Sequence, residues 1–204
     1  RKHLEGVGDL LKHSKTQAHL ANQPLTKIEK DRIVVLLISF LIVIVFWAAY
    51  EQAGGLMNLY ARDNVDRVLF GWEIPTSYFQ SLHAFYVVLL GGPMAWLWLK
   101  WSKMGKESSA IYKMAVGMIV MSVSFLLLMG AVYDASLSAI GKSPMHWLFM
   151  AYLLHVVAEL SISPISLSFI TKLAPAKYAS LMMGAYFAIV GLGNKAAGMI
   201  GGAA

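Results

Sequence analysis

The chain has 204 residues, of which 58% are hydrophobic, and carries a formal net charge of +6 at pH 7. It contains no cysteine, which excludes disulfides and thiolate metal sites. The basic residues fall in short clusters between apolar runs, so the charge does not indicate nucleic-acid binding. Residues 34–49 and 114–133 are uncharged, and a helix needs roughly 20 such residues to cross a bilayer core. The composition therefore predicts an all-α membrane protein with several spans.

The first 31 residues are polar and are predicted to be a cytoplasmic linker, either a solvated tether or a surface helix at residues 3–11. At the end of this linker, in the stretch QPLTKIEKDR, Thr26 precedes Glu29 by three residues. This is a capping-box pattern, in which each side chain accepts a backbone N–H of the first helical turn. A helix is therefore expected to begin near Thr26 and to continue into the first span.

Residues 32–204 are predicted to form one transmembrane helix bundle. Five spans are expected, at about 34–60, 78–99, 111–131, 145–170 and 178–204. They should be helical, because backbone groups in lipid must be satisfied within the segment. The last span is still apolar where the sequence stops, so the chain is expected to be a fragment of a larger protein.

The basic residues predict the orientation of these spans, because Lys and Arg are enriched in cytoplasmic segments. One side carries nine of them: Lys27, Lys30, Arg32, Lys100, Lys103, Lys106, Lys113, Lys172 and Lys177. The other side carries three: Arg62, Arg67 and Lys142. The N-terminus is therefore predicted to be cytoplasmic, with Trp72, Trp98, Trp101 and Trp147 as interfacial anchors.

Glu159 lies near the middle of the fourth predicted span. A charged side chain at that depth costs about 2.5 to 3.5 kcal/mol on insertion scales, so it is expected to face a cavity or a partner. His155 and Ser163 lie four residues to either side, on the same helix face, and Pro164 is predicted to break or kink the helix. The pattern favours a binding site in a transporter cavity over a protonated Glu that only hydrogen-bonds between helices.

Glu51 is the second acid within an apolar region, and the first span can be extended past it to about Tyr60. Trp47 lies one turn earlier and Asn58 two turns later, so a polar and aromatic stripe follows one helix face. The stripe favours a cavity lining over an interfacial anchor. In the fifth span, Asn194 and Lys195 are predicted either to face a pore or to snorkel, and the small residues Gly193, Ala197 and Gly201 to pack closely against another helix.

Three stretches resemble the proton-coupled oligopeptide transporter family. FWAAYEQAGGLMNLYA, residues 46–61, is similar to its seventh-helix signature, and FQSLHAFYVVLL, residues 79–90, to its eighth helix. ELSISPISLSFITKLAPAKYASLMMGAYF, residues 159–187, resembles the tenth and eleventh helices. The resemblance implies a major facilitator fold of two six-helix halves, of which this chain would supply helices seven to eleven of the C-terminal half.

The resemblance also implies functional roles. Glu159 would bind the free amino group of a peptide, and Glu51 would pair with a basic residue of the missing N-terminal half in a gate. The resemblance places Trp47, Tyr186 and Ser163 in the substrate pocket, and His83 is a further candidate for substrate binding, with a solvated position near the interface as its alternative. Gln52 and His155 are candidates for gating or proton coupling with Glu51, and a core hydrogen-bonding role is equally open for His155. His83 stands where the family commonly has Asn, and Tyr186 where many members have Trp.

The sequence thus predicts a proton-coupled symporter of di- and tripeptides, in a bacterial inner membrane, working by alternating access with protons and peptide as its ligands. No cofactor or metal is predicted, and no nucleophile, metal cluster or convincing phosphate loop indicates an enzyme. Two alternatives remain open: a related carrier for nitrate or a modified amino acid, and a non-transporting membrane scaffold subunit.

Overall fold

The computed structural model of the chain describes residues 24–104 and 109–203, so the predicted linker lies largely outside the described residues. Helix α1, Lys27–Tyr50, begins at the predicted capping box, in which the Thr26 side chain accepts from Glu29 N and Glu29 accepts from Thr26 N at 2.8 Å. A 3-10 turn, Glu51–Ala53, and a short helix α2, Leu56–Asn64, follow. The predicted capping box is confirmed.

The first span extends beyond Glu51 as predicted, but not as one regular helix. Gly54 and Gly55 separate the 3-10 turn from α2, and Gly55 has φ −97° and ψ −102°, outside the helical region. Glycine has low helix propensity because it loses the most backbone entropy, which explains the interruption. Glu51 therefore lies in a bend between two helices.

The other helices match the remaining predicted spans to within a few residues: α3, Ser77–Lys103; α4, Ala110–Leu137; α5, His146–Leu173; and α6, Ala179–Ala203, preceded by a 3-10 turn, Ala176–Tyr178. Among the described residues, four segments are long and apolar enough to cross a membrane: Lys27–Asn64, α3, α4 and α5. Helix α6, which contains Asn194 and Lys195, is not among these four. Helix α5 runs unbroken through Pro164, so the predicted break there is wrong.

Short strands connect the helix ends on the predicted outer side. Strand β1, Val65–Asp66, pairs in parallel with β4, Ser143–Pro144, while β2, Val68–Leu69, and β3, Trp72–Glu73, form a hairpin. Ser143 Oγ reinforces the first pairing, because it donates to Asn64 O at 3.2 Å and accepts from Tyr60 Oη at 3.0 Å. The segments that follow α2 and precede α5 are thus held together.

Close helix approaches depend on two glycines. An added Cβ on Gly117 of α4 would lie 2.5 Å from Ile162 Cγ1 of α5, and one on Gly193 of α6 would lie 2.7 Å from Trp47 Cβ of α1. Ala197 of α6 is buried as well. These contacts confirm the predicted packing role of the small-residue stripe at Gly193 and Ala197.

Two apolar clusters fill the bundle. One contains Phe40 and Phe46 of α1, Met121 of α4 and Ile162 of α5, and the other contains Met57 of α2, Phe79 of α3 and Tyr152 of α5. The bend at Glu51 and the middle of α5 lie between these clusters along the chain. The polar residues at that level are therefore positioned by packed helices on both sides.

Candidate functional site

Glu159, His83 and Tyr50 come together at the level of the bend. His83 Nε2 of α3 lies 2.8 Å from Tyr50 Oη of α1 and 3.2 Å from Glu159 Oε2 of α5. The His83 and Glu159 side chains are 19% and 21% exposed, so both are partly desolvated without being sealed. Three helices thus contribute one polar side chain each to a single cluster.

One nitrogen in this cluster faces two oxygens. With a proton on Nε2, His83 donates to the Glu159 carboxylate; without it, the nitrogen accepts from the Tyr50 hydroxyl and its lone pair faces Glu159. An ionised Glu159 at 3.2 Å is therefore compatible with a protonated Nε2, and an unprotonated Nε2 with a protonated Glu159. Either arrangement places one proton in the contact between His83 and Glu159.

Glu51 lies near this cluster without joining it. It lines a small cavity of about 170 Å³ with Tyr50, Gln80, His83 and Tyr152, together with the backbone of Ala53 and Gly54. Within the ranges 24–104 and 109–203, the Glu51 side chain forms no hydrogen bond or ion pair. Its carboxylate is available for a group outside the described residues.

A second cavity, of about 290 Å³, lies on the other side of the bend between Glu51 and α6. Asn194 lines it, as do the small residues Gly198 and Gly201. Asn194 and Glu51 thus line the same cavity, in accord with the cavity-facing alternative for Asn194. Lys195 is exposed on the same helix.

Gln52 is buried and connects two helices. Its Nε2 donates to Ala48 O of α1 and to Ala197 O of α6, both at 3.2 Å, while its Oε1 has no partner among the described residues. These bonds fasten the bend to α6. A gating role for Gln52 stays a prediction. Gln52 would act through its bonds to α1 and α6.

Trp47 packs behind the cluster. Its ring meets Tyr50 edge to face with centroids 5.1 Å apart, and its buried Nε1 has no partner in the described part of the chain. Gly193 lies against its Cβ. Trp47 therefore supports Tyr50, and direct contact with a substrate stays a prediction.

Within the described residues, His155, Ser163 and Tyr186 form no hydrogen bond with the Glu159 carboxylate, although the His155 ring lies 6.5 Å from that of Tyr50. His155 is fully buried, with Nδ1 2.6 Å from Ser124 Oγ of α4, and Tyr186 is buried with its hydroxyl 3.0 Å from Ser166 Oγ. Ser163 is half-buried, and its carbonyl accepts from Ser166 at 3.0 Å. His155 and Tyr186 thus connect α5 to α4 and to α6, whereas the Ser163 bond lies within α5. The predicted functional roles of all three residues are untested.

Sequence reasoning did not single out Tyr50 and Tyr152 as members of this site. Tyr152 donates to Ala53 O at 3.0 Å, which fixes the bend against α5, and its ring lies 6.5 Å from that of His83. A signal was present for both: Tyr50 is three residues after Trp47, and Tyr152 is seven before Glu159, spacings that keep residues on one helix face.

The family model and the curated relatives that match this chain are all of transporters. Residues 8–202 match the family model of PTR2, described as the POT family. The chain is 38% identical over 175 residues to the peptide transporter YePEPT of Yersinia enterocolitica, covering 85% of this chain and 34% of that protein. It is 32% identical over 165 residues to a di-/tripeptide transporter of Lactococcus lactis, covering 78% of this chain and 32% of the relative.

Solved structures of the same family superpose on this chain. A crystal structure of the peptide transporter POT in complex with sulfate superposes with a TM-score of 0.75 at 29% identity, over 88% of this chain and 35% of the other. A POT family transporter in complex with a thioalcohol-conjugated peptide gives 0.73 at 26% identity, over 89% and 36%. The chain spans about a third of the length of the relatives it matches.

Proposed function

This chain belongs to the POT family, a family of transporters with the major facilitator fold, and we propose that it is part of a carrier that moves di- and tripeptides together with protons. The predicted resemblance and fold class are thereby confirmed, and the chain is a membrane protein whose helices α1 to α5 supply spans. The peptide substrate, the coupling to protons and the inner-membrane location belong to the proposal.

The observation that carries this proposal is the contact between Glu159 and His83. A carboxylate held at 3.2 Å from an imidazole within a membrane span can exchange a proton or accept a peptide amino group. An incoming ammonium would compete with the His83 proton for the same carboxylate oxygen. Binding of peptide and release of the shared proton would in this way be linked at one group.

Glu51 is the residue that we connect with gating. Its carboxylate has no partner among the described residues and borders both cavities at the bend. Because Gly54 and Gly55 follow it, the backbone can change angle there at low cost. We assign Glu51 to a gate, in which a basic residue of an N-terminal half would pair with it in one of two conformations.

The test is uptake by the full-length protein in proteoliposomes. A labelled dipeptide should accumulate inside when a pH gradient is imposed and should not accumulate when the gradient is dissipated. Unlabelled di- and tripeptides should compete, whereas nitrate and single modified amino acids should not. Competition by nitrate alone would favour the related carrier, and absence of any uptake would favour the scaffold subunit.

A further inference from the structure

A cavity of about 820 Å³ lies between α3, α4 and α5, and neither Glu159 nor Glu51 lines it. Its rim includes Ser109, Lys113 and Lys172, where α4 begins and α5 ends, and its floor includes Gly91 and Leu160. It shares no lining residue with the two cavities that border Glu51. It is therefore a separate feature of the fold.

The rim is positively charged. Lys113 and Lys172 both line the cavity, and none of the described residues in its wall is acidic. Neither lysine forms a salt bridge within residues 24–104 and 109–203. Ser109 is the N-cap of α4, so the positive end of that helix dipole lies at the same rim. The charges and the dipole together favour an anion.

Below the rim the wall is apolar and deep. Leu160 precedes Leu173 of α5 by 13 residues, which corresponds to about 20 Å along a helix. The residues between rim and floor include Met94, Ile165 and Phe169. A small inorganic anion would occupy only the rim, whereas a phospholipid would occupy the rim with its headgroup and the apolar part with an acyl chain.

Tryptophans mark the depth of the rim. Trp98 lines the cavity and stacks on Trp101 with ring centroids 5.9 Å apart, and Lys113 Nζ lies 5.4 Å from the Trp98 centroid. Tryptophan is enriched at the level of the lipid headgroups. This end of the bundle is also the lysine-rich, predicted cytoplasmic end, where the leaflet contains anionic lipid.

We propose that this cavity binds one anionic phospholipid, with its phosphate between Lys113 and Lys172 and an acyl chain against the apolar wall down to Gly91. Bound there, the lipid would occupy the space between α3, α4 and α5. This assignment does not depend on the transported substrate.

The test is lipid binding to the full-length protein, purified, delipidated and titrated with phosphatidylglycerol in native mass spectrometry. Lys113→Gln with Lys172→Gln should weaken binding on the order of 10- to 30-fold, because the double variant removes two positive charges that attract the anionic headgroup. The matched control is Lys103→Gln with Lys177→Gln, which removes two lysines from the same end outside the cavity wall. The control should bind phosphatidylglycerol within about twofold of the unsubstituted protein.

A second pair of variants tests the apolar part without changing charge. Gly91 lines the cavity and Gly92 does not, and a Cβ added at either meets nothing within 4 Å. Gly91→Phe should fill the floor and abolish phosphatidylglycerol binding, whereas Gly92→Phe should leave it unchanged. Unaltered binding by Gly91→Phe would contradict the acyl-chain assignment. The glycine variants test the proposal independently of the double lysine variant, including the case in which that variant fails to fold.

Three results would overturn the proposal. They are phosphatidylcholine binding as tightly as phosphatidylglycerol, equal losses in the cavity and control lysine pairs, and displacement of the lipid by inorganic phosphate at equal concentration. The last result would assign the rim to a free anion. Peptide uptake is not a readout of any of these experiments, so failure here and failure of the transport proposal are distinguishable.

Discussion

The imidazole of His83 in α3 lies 3.2 Å from the carboxylate of Glu159 in α5, although the two residues are 76 positions apart in the sequence. Tyr50 contacts the same imidazole nitrogen at 2.8 Å. This pairing differs from the interpretation that the sequence suggested, in which His83 and Glu159 each contact the peptide separately. In the structure, the two side chains contact each other.

Glu159→Gln should abolish accumulation of a labelled dipeptide driven by a pH gradient, because the amide neither ionises nor attracts an ammonium. Uptake by the full-length protein in proteoliposomes measures this. Glu73→Gln is the control, since Glu73 is exposed on the β2–β3 hairpin. Concentrative uptake at the unsubstituted rate in Glu159→Gln would refute the role of this carboxylate.

His83→Asn should retain peptide transport but change its pH dependence. Asparagine can still hydrogen-bond Tyr50 and Glu159, yet it cannot carry the shared proton. The part of the pH dependence of uptake that arises from protonation of His83 should therefore be lost. Uptake measured across pH values at a fixed gradient tests this, with His146→Asn as the control at the far end of α5. An identical profile in both variants would exclude His83 from proton exchange.

Glu51→Gln should separate binding from translocation. The residue has no partner in the described ranges and lies outside the His83–Glu159 contact, so peptide affinity should be nearly unchanged. The maximal uptake rate should fall by at least about tenfold if Glu51 forms one gate pair worth roughly 1.4 kcal/mol. Binding by calorimetry and transport by flux are compared in the same preparation. A loss of binding with an unchanged maximal rate would assign Glu51 to the substrate instead.

Gly193→Val should destabilise the bundle, because a Cβ there would lie 2.7 Å from Trp47 Cβ and 3.0 Å from Ile44 O. Overpacking of this kind costs about 1 to 3 kcal/mol. Gly191→Val introduces the same residue two positions earlier on α6, where a Cβ meets nothing within 4 Å. Thermal unfolding followed by tryptophan fluorescence should show a lower midpoint for Gly193→Val alone. Equal midpoints would mean that the α1–α6 contact is not tightly packed.

The helices were predictable because long uncharged runs have few alternatives in lipid. Residues 111–131 and 145–170 were expected as spans, and α4 and α5 contain them apart from the first residue of the second. The start of α1 was predictable as well, because the capping box at Thr26 depends only on residues within the first helical turn. The bend after Tyr50 was missed, although Gly54 and Gly55 are a local signal for it. Its second support, the bond from Tyr152 to Ala53 O, comes from another helix and could not be predicted from the local sequence.

The site was predictable only in part. Glu159 and Glu51 could be identified because acids are costly in apolar surroundings. Their partners could not, because the contact of His83 with Glu159 depends on how α3 packs on α5, and no periodicity within one segment specifies that rotation. His155 shows the converse: it shares a helix face with Glu159 in the sequence pattern, yet its ring is held by Ser124 of α4.

The parallel pairing of Val65 with Ser143 has a mechanical consequence. It holds the segment that follows α2 against the segment that precedes α5. About two turns into α5, Tyr152 donates a hydrogen bond to Ala53 O of the bend. The turn that contains Glu51 is therefore bonded to the helix that contains Glu159. We expect a movement of the bend to be transmitted through these bonds to α5, and so to Glu159.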